Sequence, residues 1–387
     1  MLWFISLFNY ADRQAVFSVF PLLEREMSLS TVELGWLGAA FAWMYGLGAP
    51  LAGWVVDRIR RKTAILGGLG VWSLICMATA GSRNFASLLA FRAAEGVGEA
   101  FYYPASNSMI SDYHGPRTRS RALGFHQTAV YAGTIAGGFL AGWIGKEHGW
   151  RWSFIVFGGL GIVLALVLMS TLHEPIRERT RAAPVSMREV ARIPTLLALA
   201  GAFLCANFVA TVLLSWMPKF LYDRYHWDLA TSGFAATAYV QLASMAGSPA
   251  GGWLADKLRR RTVRGRIVVQ MAGVLFGAPF VVLCGMTHSV TWLLVALTCW
   301  GFFKGLYDAN IFASAYDVIP AEARGRVVGW MNLAGWLGGG GSAPVVIGYI
   351  AQYTGLGTAI AFASVVYLAA GTLLLIAAVR VQRDSVT

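Results

Sequence analysis

Two short strings concentrate ionisable side chains in otherwise apolar surroundings: NYADRQ at residues 9–14 and RAAEGVGEAFYYPA at 92–105. The first holds Asp12 and Arg13. The second holds Arg92, Glu95 and Glu99, whose offsets of three, four and seven residues place all three on one helical face. A guanidinium stays protonated and matches carboxylate geometry, so Arg13 and Arg92 are candidates to hold an anionic substrate. Asp12 and Glu99 are candidates to carry a proton. In a low-dielectric site, desolvation favours the neutral acid and a neighbouring arginine favours the ion, which can leave a carboxyl poised between the two. Protonation of Glu99 would then release an arginine to a substrate carboxylate, coupling a proton to an anion. The competing reading is a static charge network that orders the helices. Tyr10, Tyr45 and Tyr103 lie near these charges, and each hydroxyl needs a partner in apolar surroundings. Phe41 has no polar handle and reads as packing.

The elements that must position these residues follow from composition. Of the 387 residues, 57% are hydrophobic and 13% charged, against about 25% charged in soluble domains. That excludes a soluble enzyme, a disordered chain and a disulfide scaffold, and predicts an all-α polytopic membrane protein. Runs of about 20 apolar residues, long enough to span a bilayer, occur twelve times. They lie near 1–23, 33–55, 63–81, 86–111, 122–145, 152–172, 193–218, 229–255, 267–287, 290–317, 327–350 and 356–379. The first run starts at Met1 without a basic leader or a small-residue cleavage site, so it reads as a span and not as a signal peptide. Either the native start lies upstream or the cytosolic tail is very short. With both termini inside, 22 of the 31 Lys and Arg fall on the inner side, six on the outer side and three within spans. That bias sets cytoplasmic N and C termini, so the net charge of +12 marks topology and not a nucleic-acid partner. On an untilted count Glu99 and Asp12 both sit roughly 20 Å deep at 1.5 Å per residue. A charge there costs at least about 2.5 kcal/mol, which makes every ionisable residue inside a span a functional candidate.

The second half of the chain is less charged. Lys304 and Asp308 stand at i, i+4 in the tenth span, either a satisfied structural pair or a second polar site. Asn332 lies in the eleventh span, Asn207 in the seventh, and His126 with Gln127 near the inner end of the fifth. Gln127 and Asn332 join the substrate-binding candidates. Lone amides in spans commonly join helices, and that is the reading for Asn207. His126 reads as a hydrogen-bonded structural histidine. The four cysteines, Cys76, Cys205, Cys284 and Cys299, lie in apolar runs without metal-ligand spacing and read as free thiols.

An internal repeat organises the chain. GWVVDRIRRK at 53–62 and GWLADKLRRR at 252–261 occupy corresponding loops, with Asp57 and Asp256 in the same register. Residues 1–172 and 193–387 then form two six-span bundles, joined by the polar stretch 173–192. Repeated halves mark secondary transporters. Six plus six spans with this doubled loop motif resemble the major facilitator superfamily over essentially the whole chain. The resemblance implies two bundles about a pseudo-two-fold axis, a central cavity, and rocking-type alternating access. It implies a gating role for Asp57, Arg58, Asp256 and Lys257, while Arg60, Arg61 and Lys62 read as topology anchors. The run GWLGGGGSAP at 335–344 reads as a breakable gate helix or as a tight packing surface.

NYADR, FAWMYGLGAPLAGWVVDR (41–58), GEAFYYPA (98–105), GWRWSF (149–154) and GWMNLAGWLGG (329–339) resemble the anion:cation symporter branch of that superfamily. The resemblance implies substrate binding and coupling by Asp12, Arg13, Arg92, Glu99 and Asn332, a small organic anion such as a sugar acid as substrate, and protons as coupling ion. Lys304, Asp308 and Pro50 depart from the pattern. NYADR, GVGEA (96–100) and ISDY (110–113) are also similar to spinster-like transporters, which implies lysolipid-type amphiphiles as the alternative. Drug or metabolite efflux is a third reading. The chain carries no nucleophile–base pair, no metal-ligand cluster by spacing and no GxxxxGK[ST] string. It is therefore read as a non-enzyme without cofactor or metal: a monomer in the lipid bilayer of a bacterial inner membrane.

Overall fold

The structure, a computed structural model, describes residues 1–56, 58–114, 118–174, 192–320 and 323–384. It is all-helical, with no strand among the described residues. In chain order the first stretch holds α1 (Leu2–Ser18), α2 (Phe20–Met27), α3 (Thr31–Val56), α4 (Arg61–Thr79), α5 (Phe85–Glu99), α6 (Tyr102–Tyr113), α7 (Arg119–His148) and α8 (Trp150–Thr171). After the linker come α9 (Pro194–Tyr225), α10 (Leu229–Arg259), α11 (Gly265–Met286), α12 (Val290–Asp308), α13 (Ile311–Tyr316), α14 (Arg324–Ala334), a π-helical turn (Gly335–Gly340), α15 (Ser342–Thr354) and α16 (Leu356–Asp384). Most of the polar linker 173–192 falls outside the described residues.

Eight segments are long and apolar enough to cross a membrane by length and composition alone. The four remaining expected spans include the first, with Asp12 and Arg13, and the fourth, with Arg92, Glu95 and Glu99, and both of these are broken. The fourth span divides into α5 and α6 at Ala100–Phe101. The cause is Pro104, which has no N–H to offer and whose ring crowds the carbonyl four residues back, that of Ala100. The break leaves Glu99 as the last residue of α5. In the first span, α1 ends at Ser18 and α2 begins at Phe20 with Pro21 in its first turn.

The described chain separates into two compact units. The first holds Met1–Arg179 with Leu214–Thr237 and Pro344–Tyr349, and the second holds the remainder. Within the first unit α1 packs on α7, α3 on α5, and α4 on both α5 and α8. Within the second, α11 packs on α12 and α16. Thus the third span of each sequence half lies against the fourth and the sixth, the same pairing twice. Matching turns accompany it: Gly149 between α7 and α8 has φ 88°, and Gly355 between α15 and α16 has φ 81°. Only glycine adopts that backbone without strain.

Close approach at Gly96 positions the charged face of α5. A Cβ there would press on the Phe41 carbonyl and lie 3.0 Å from the Tyr45 amide nitrogen, both backbone atoms of α3. Backbone cannot swing aside as a side chain can. Gly96→Ala is therefore expected to cost about 1–3 kcal/mol by overpacking, whereas Gly53→Ala, with nothing within 4 Å, serves as the neutral comparison. Thermal unfolding of both variants in one detergent checks this.

Candidate functional site

The residues from the first and fourth spans converge inside the first unit. α1 presents Asp12 and Arg13, α3 presents Phe41 and Tyr45, α4 presents Cys76, and α5 presents Arg92, Glu95 and Glu99. Arg92, Glu95 and Glu99 are 1%, 0% and 0% exposed, an expensive placement that only mutual pairing can offset. Arg13 Nε donates to Glu99 Oε2 at 2.5 Å. Arg92 pairs with Glu95 one turn along α5. Asp12 faces away from its neighbour in sequence: its Oδ1 accepts from the Cys76 thiol at 2.9 Å. One ligand atom each of Asp12, Cys76 and Glu95 lie within 4.8 Å of one another.

Aromatic rings enclose both guanidiniums. Arg13 lies over Tyr10 (4.8 Å to the ring centroid), Phe41 (5.1 Å) and Tyr45 (4.3 Å). Arg92 lies over Phe41 at 4.7 Å. Phe41, which reads as packing in the sequence, is thus the ring shared by both cations. Such contacts are worth about 2 kcal/mol or more when desolvated, so they hold the arginines without consuming their N–H donors. The Nε and Nη2 of Arg92 are buried and donate to nothing among the described residues, and Glu99 Oε1 accepts nothing there. Asn9, one turn before Arg13 on α1, also has a buried Nδ2 without a hydrogen-bond acceptor among them.

The other candidates fall in several places. Tyr103 lies in electrostatic reach of Tyr45, Tyr131 and Arg13, beside the cluster. Gln127 is half-buried on α7. Its neighbour His126 is buried and meets the Tyr102 hydroxyl at 2.9 Å, the structural role read from sequence. In the second unit Lys304 pairs with Asp308. Asn332 is half-buried on α14, and its carbonyl accepts from Gly335 N–H at the start of the π-helical turn. Asn207 donates to the Phe203 carbonyl at 2.9 Å, and a Cβ at Gly339 would lie 3.0 Å from the Asn207 Cβ, so this amide packs against that turn.

The doubled loop motif resolves differently in the two halves. Asp57 lies outside the described residues. Arg58 lies over the Trp54 ring at 3.8 Å and donates to the Trp54 carbonyl at 2.9 Å. Arg61, read as a topology anchor, is instead buried and ion-paired with Asp112 at the end of α6. In the second unit Asp256 is 3.7 Å from Arg266, Lys257 lies 5.0 Å over Trp253, and Asp317 pairs with Arg266 (2.6 Å) and Arg259 (3.5 Å). Each half therefore ties a base to an acid at the C-terminal end of its fourth span.

Asn9, Glu95 and Cys76 are further site residues that the sequence reading left without a role. The spacing of Glu95 from Arg92 was a visible signal. The thiol gave none, because its importance arises from contact across 64 residues.

Buried arginines matched to carboxylates in a doubled helical architecture define a polytopic transporter. The chain belongs to the Major Facilitator Superfamily, whose family profile matches residues 2–343 and again 264–386; it is a membrane transporter and not an enzyme. It is 27% identical over 391 residues to the probable galactarate/D-glucarate transporter of Bacillus subtilis (strain 168), covering 92% of this chain and 85% of that one. It is 26% identical over 374 residues to the hexuronate transporter of the same organism, covering 92% and 87%. Among solved structures, a bacterial homolog of the human lysosomal transporter spinster, inward-facing and unoccupied, superposes with a TM-score of 0.88 at 22% identity, covering 100% of this chain and 97% of that one. That likeness concerns the fold.

Proposed function

We propose that this protein is a proton-coupled symporter of a small organic anion of the sugar-acid class. It works as a monomer by alternating access between the halves 1–172 and 193–387, in a bacterial inner membrane, with both termini cytoplasmic. The observation that carries the reading is Arg92: a buried guanidinium with two donors unmet among the described residues, which shares the Phe41 ring with a second arginine whose partner is a carboxylate. Buried unmet donors are costly, and a substrate carboxylate would satisfy them. The relatives' names for galactarate, glucarate and hexuronate carriers support the same ligand class. Asn9, Tyr10 and Tyr45, with Tyr103 and Gln127 at the margin, are the polar groups for hydroxyls of such a ligand. Asn332, and Lys304 with Asp308, are the second-half candidates.

Charge balance supplies the coupling. Three carboxyls, Asp12, Glu95 and Glu99, face two guanidiniums. Asp12 and Glu95 place carboxyl oxygens within 4.8 Å of each other in a buried site, and one proton shared between them balances the two guanidiniums. The cluster is then neutral, with Glu99 ionised on Arg13. A further proton on Glu99 breaks that ion pair, leaves the site net positive and turns Arg13 toward an anion. Proton and anion therefore enter together, and binding strengthens as pH falls.

The experiment is counterflow and pH-driven uptake of labelled glucarate in proteoliposomes, with lysophosphatidylcholine and a cationic dye as rival substrates. Glucarate uptake dependent on an inward proton gradient supports the reading; transport of only the lysolipid or only the dye overturns it. The loop motif is proposed as the inner gate. Asp57→Ala, and likewise Asp256→Ala, is expected to slow turnover at least tenfold while changing substrate affinity less than threefold, as counterflow rates beside equilibrium binding would show. Arg58 and Lys257, held over Trp54 and Trp253, are the basic members of that gate.

A further inference from the structure

We infer that the first unit carries a binding site for the headgroup of an anionic phospholipid, in the cleft between the start of α4 and the end of α8. The cleft has a volume of about 960 Å³ and two kinds of wall. Its rim carries Arg58, Arg60 and Lys62, with His173 beside them. Its floor is apolar, including Leu66, Ala165 and Met169. Met169 is 60% exposed and its neighbour Leu166 is 62% exposed, so α8 turns bare hydrocarbon outward directly below the cations. That vertical order of apolar wall then fixed positive charge is the profile of a phospholipid at the cytoplasmic surface, where the Lys and Arg bias places this loop.

The rim charges are held but, among the described residues, not ion-paired. Lys62 Nζ donates to the Met169 carbonyl at 2.7 Å, which anchors the ammonium at the end of α8. Arg58 is steadied by Trp54, itself 55% exposed, an aromatic at the membrane–water boundary. Among the described residues Glu174 is the one acid in the lining, and its two oxygens are engaged by backbone N–H groups: Arg61 at 2.8 Å and Lys62 at 3.3 Å. No carboxylate lies within 4 Å of the Arg58, Arg60 or Lys62 side-chain nitrogens among the described residues. The corresponding loop of the second unit differs, because Arg259 and Arg266 are paired with Asp317. The chain's own linker is a poor occupant on charge grounds: residues 175–191 carry four Arg and two Glu, the same sign as the rim.

A basic residue beside an anionic lipid surface contributes roughly fivefold in affinity, so two together give about 30-fold. The test uses the full-length protein in detergent, with bound phosphatidylglycerol and phosphatidylcholine of matched acyl chains counted by native mass spectrometry. The wild type is expected to retain phosphatidylglycerol at one per chain in preference to phosphatidylcholine. R60Q/K62Q is expected to lose about 30-fold in that affinity, R60K/K62R to keep it, and R260Q/R261Q in the opposite loop to change it less than threefold. Millimolar inorganic phosphate should not displace the lipid. The inference is overturned if phosphatidylcholine binds equally, if R260Q/R261Q loses as much as R60Q/K62Q, or if inorganic phosphate displaces the lipid, which would make the cleft a soluble-anion site.

Discussion

Glu99→Gln is expected to abolish proton-driven accumulation of substrate while leaving exchange intact. Glutamine keeps the shape of the protonated acid but cannot ionise, so Arg13 loses its charged partner permanently and stays available to an anion. A one-proton symporter under a one-unit pH gradient can sustain roughly tenfold accumulation; the variant should settle near equal concentrations on both sides. Counterflow of labelled glucarate should persist, and its pH dependence should flatten, because the proton that opens the Arg13–Glu99 pair is no longer needed. The sign matters: in the wild type, binding weakens as pH rises and Glu99 reclaims Arg13. Both quantities come from one proteoliposome preparation assayed with and without a pH gradient. If Glu99→Gln still accumulates substrate, Glu99 is removed from coupling, and the proton shared by Asp12 and Glu95 becomes the one that moves.

Arg13→Ala is expected to weaken anion binding by about 30-fold to several thousand-fold, the range for deleting one partner of a buried charge-assisted contact. It also strands Glu99 at 0% exposure, and a buried ion pair broken from one side destabilises by about 3–5 kcal/mol. A single variant therefore confounds binding with stability. R13A/E99Q separates them, since it leaves no buried charge unpaired at that position. Its melting temperature should recover most of the loss while glucarate binding, followed by titration calorimetry, stays weak. Recovery of binding in the double variant would mean that Arg13 serves only to neutralise Glu99, leaving Arg92 as the sole anion contact. Arg92→Gln supplies the complementary measurement: with the Nε and Nη2 donors removed or displaced, affinity should fall even though the Arg13–Glu99 pair remains.

The sequence alone determined the all-helical membrane class, the uneven distribution of Lys and Arg and the doubled loop, because these depend on composition and on local periodicity. It also singled out Asp12, Arg13, Arg92 and Glu99 as candidates, since an ionisable residue in an apolar run carries a cost that demands a reason. The tertiary structure decided the partnerships. Spacing along one helix offered Arg92 both Glu95 and Glu99; packing of α5 on α3 at Gly96 and of α1 on α7 assigns Glu95 to Arg92 and brings Glu99 to Arg13. Asp12, adjacent to Arg13 in sequence, points to Cys76 instead, because successive residues on a helix face about 100° apart. Phe41 acquires its place between two cations, and Arg61 its buried bond to Asp112, through contacts between helices far apart in the chain. Such contacts leave no periodic trace, so the apolar code that writes the spans is silent about which charges they bring together.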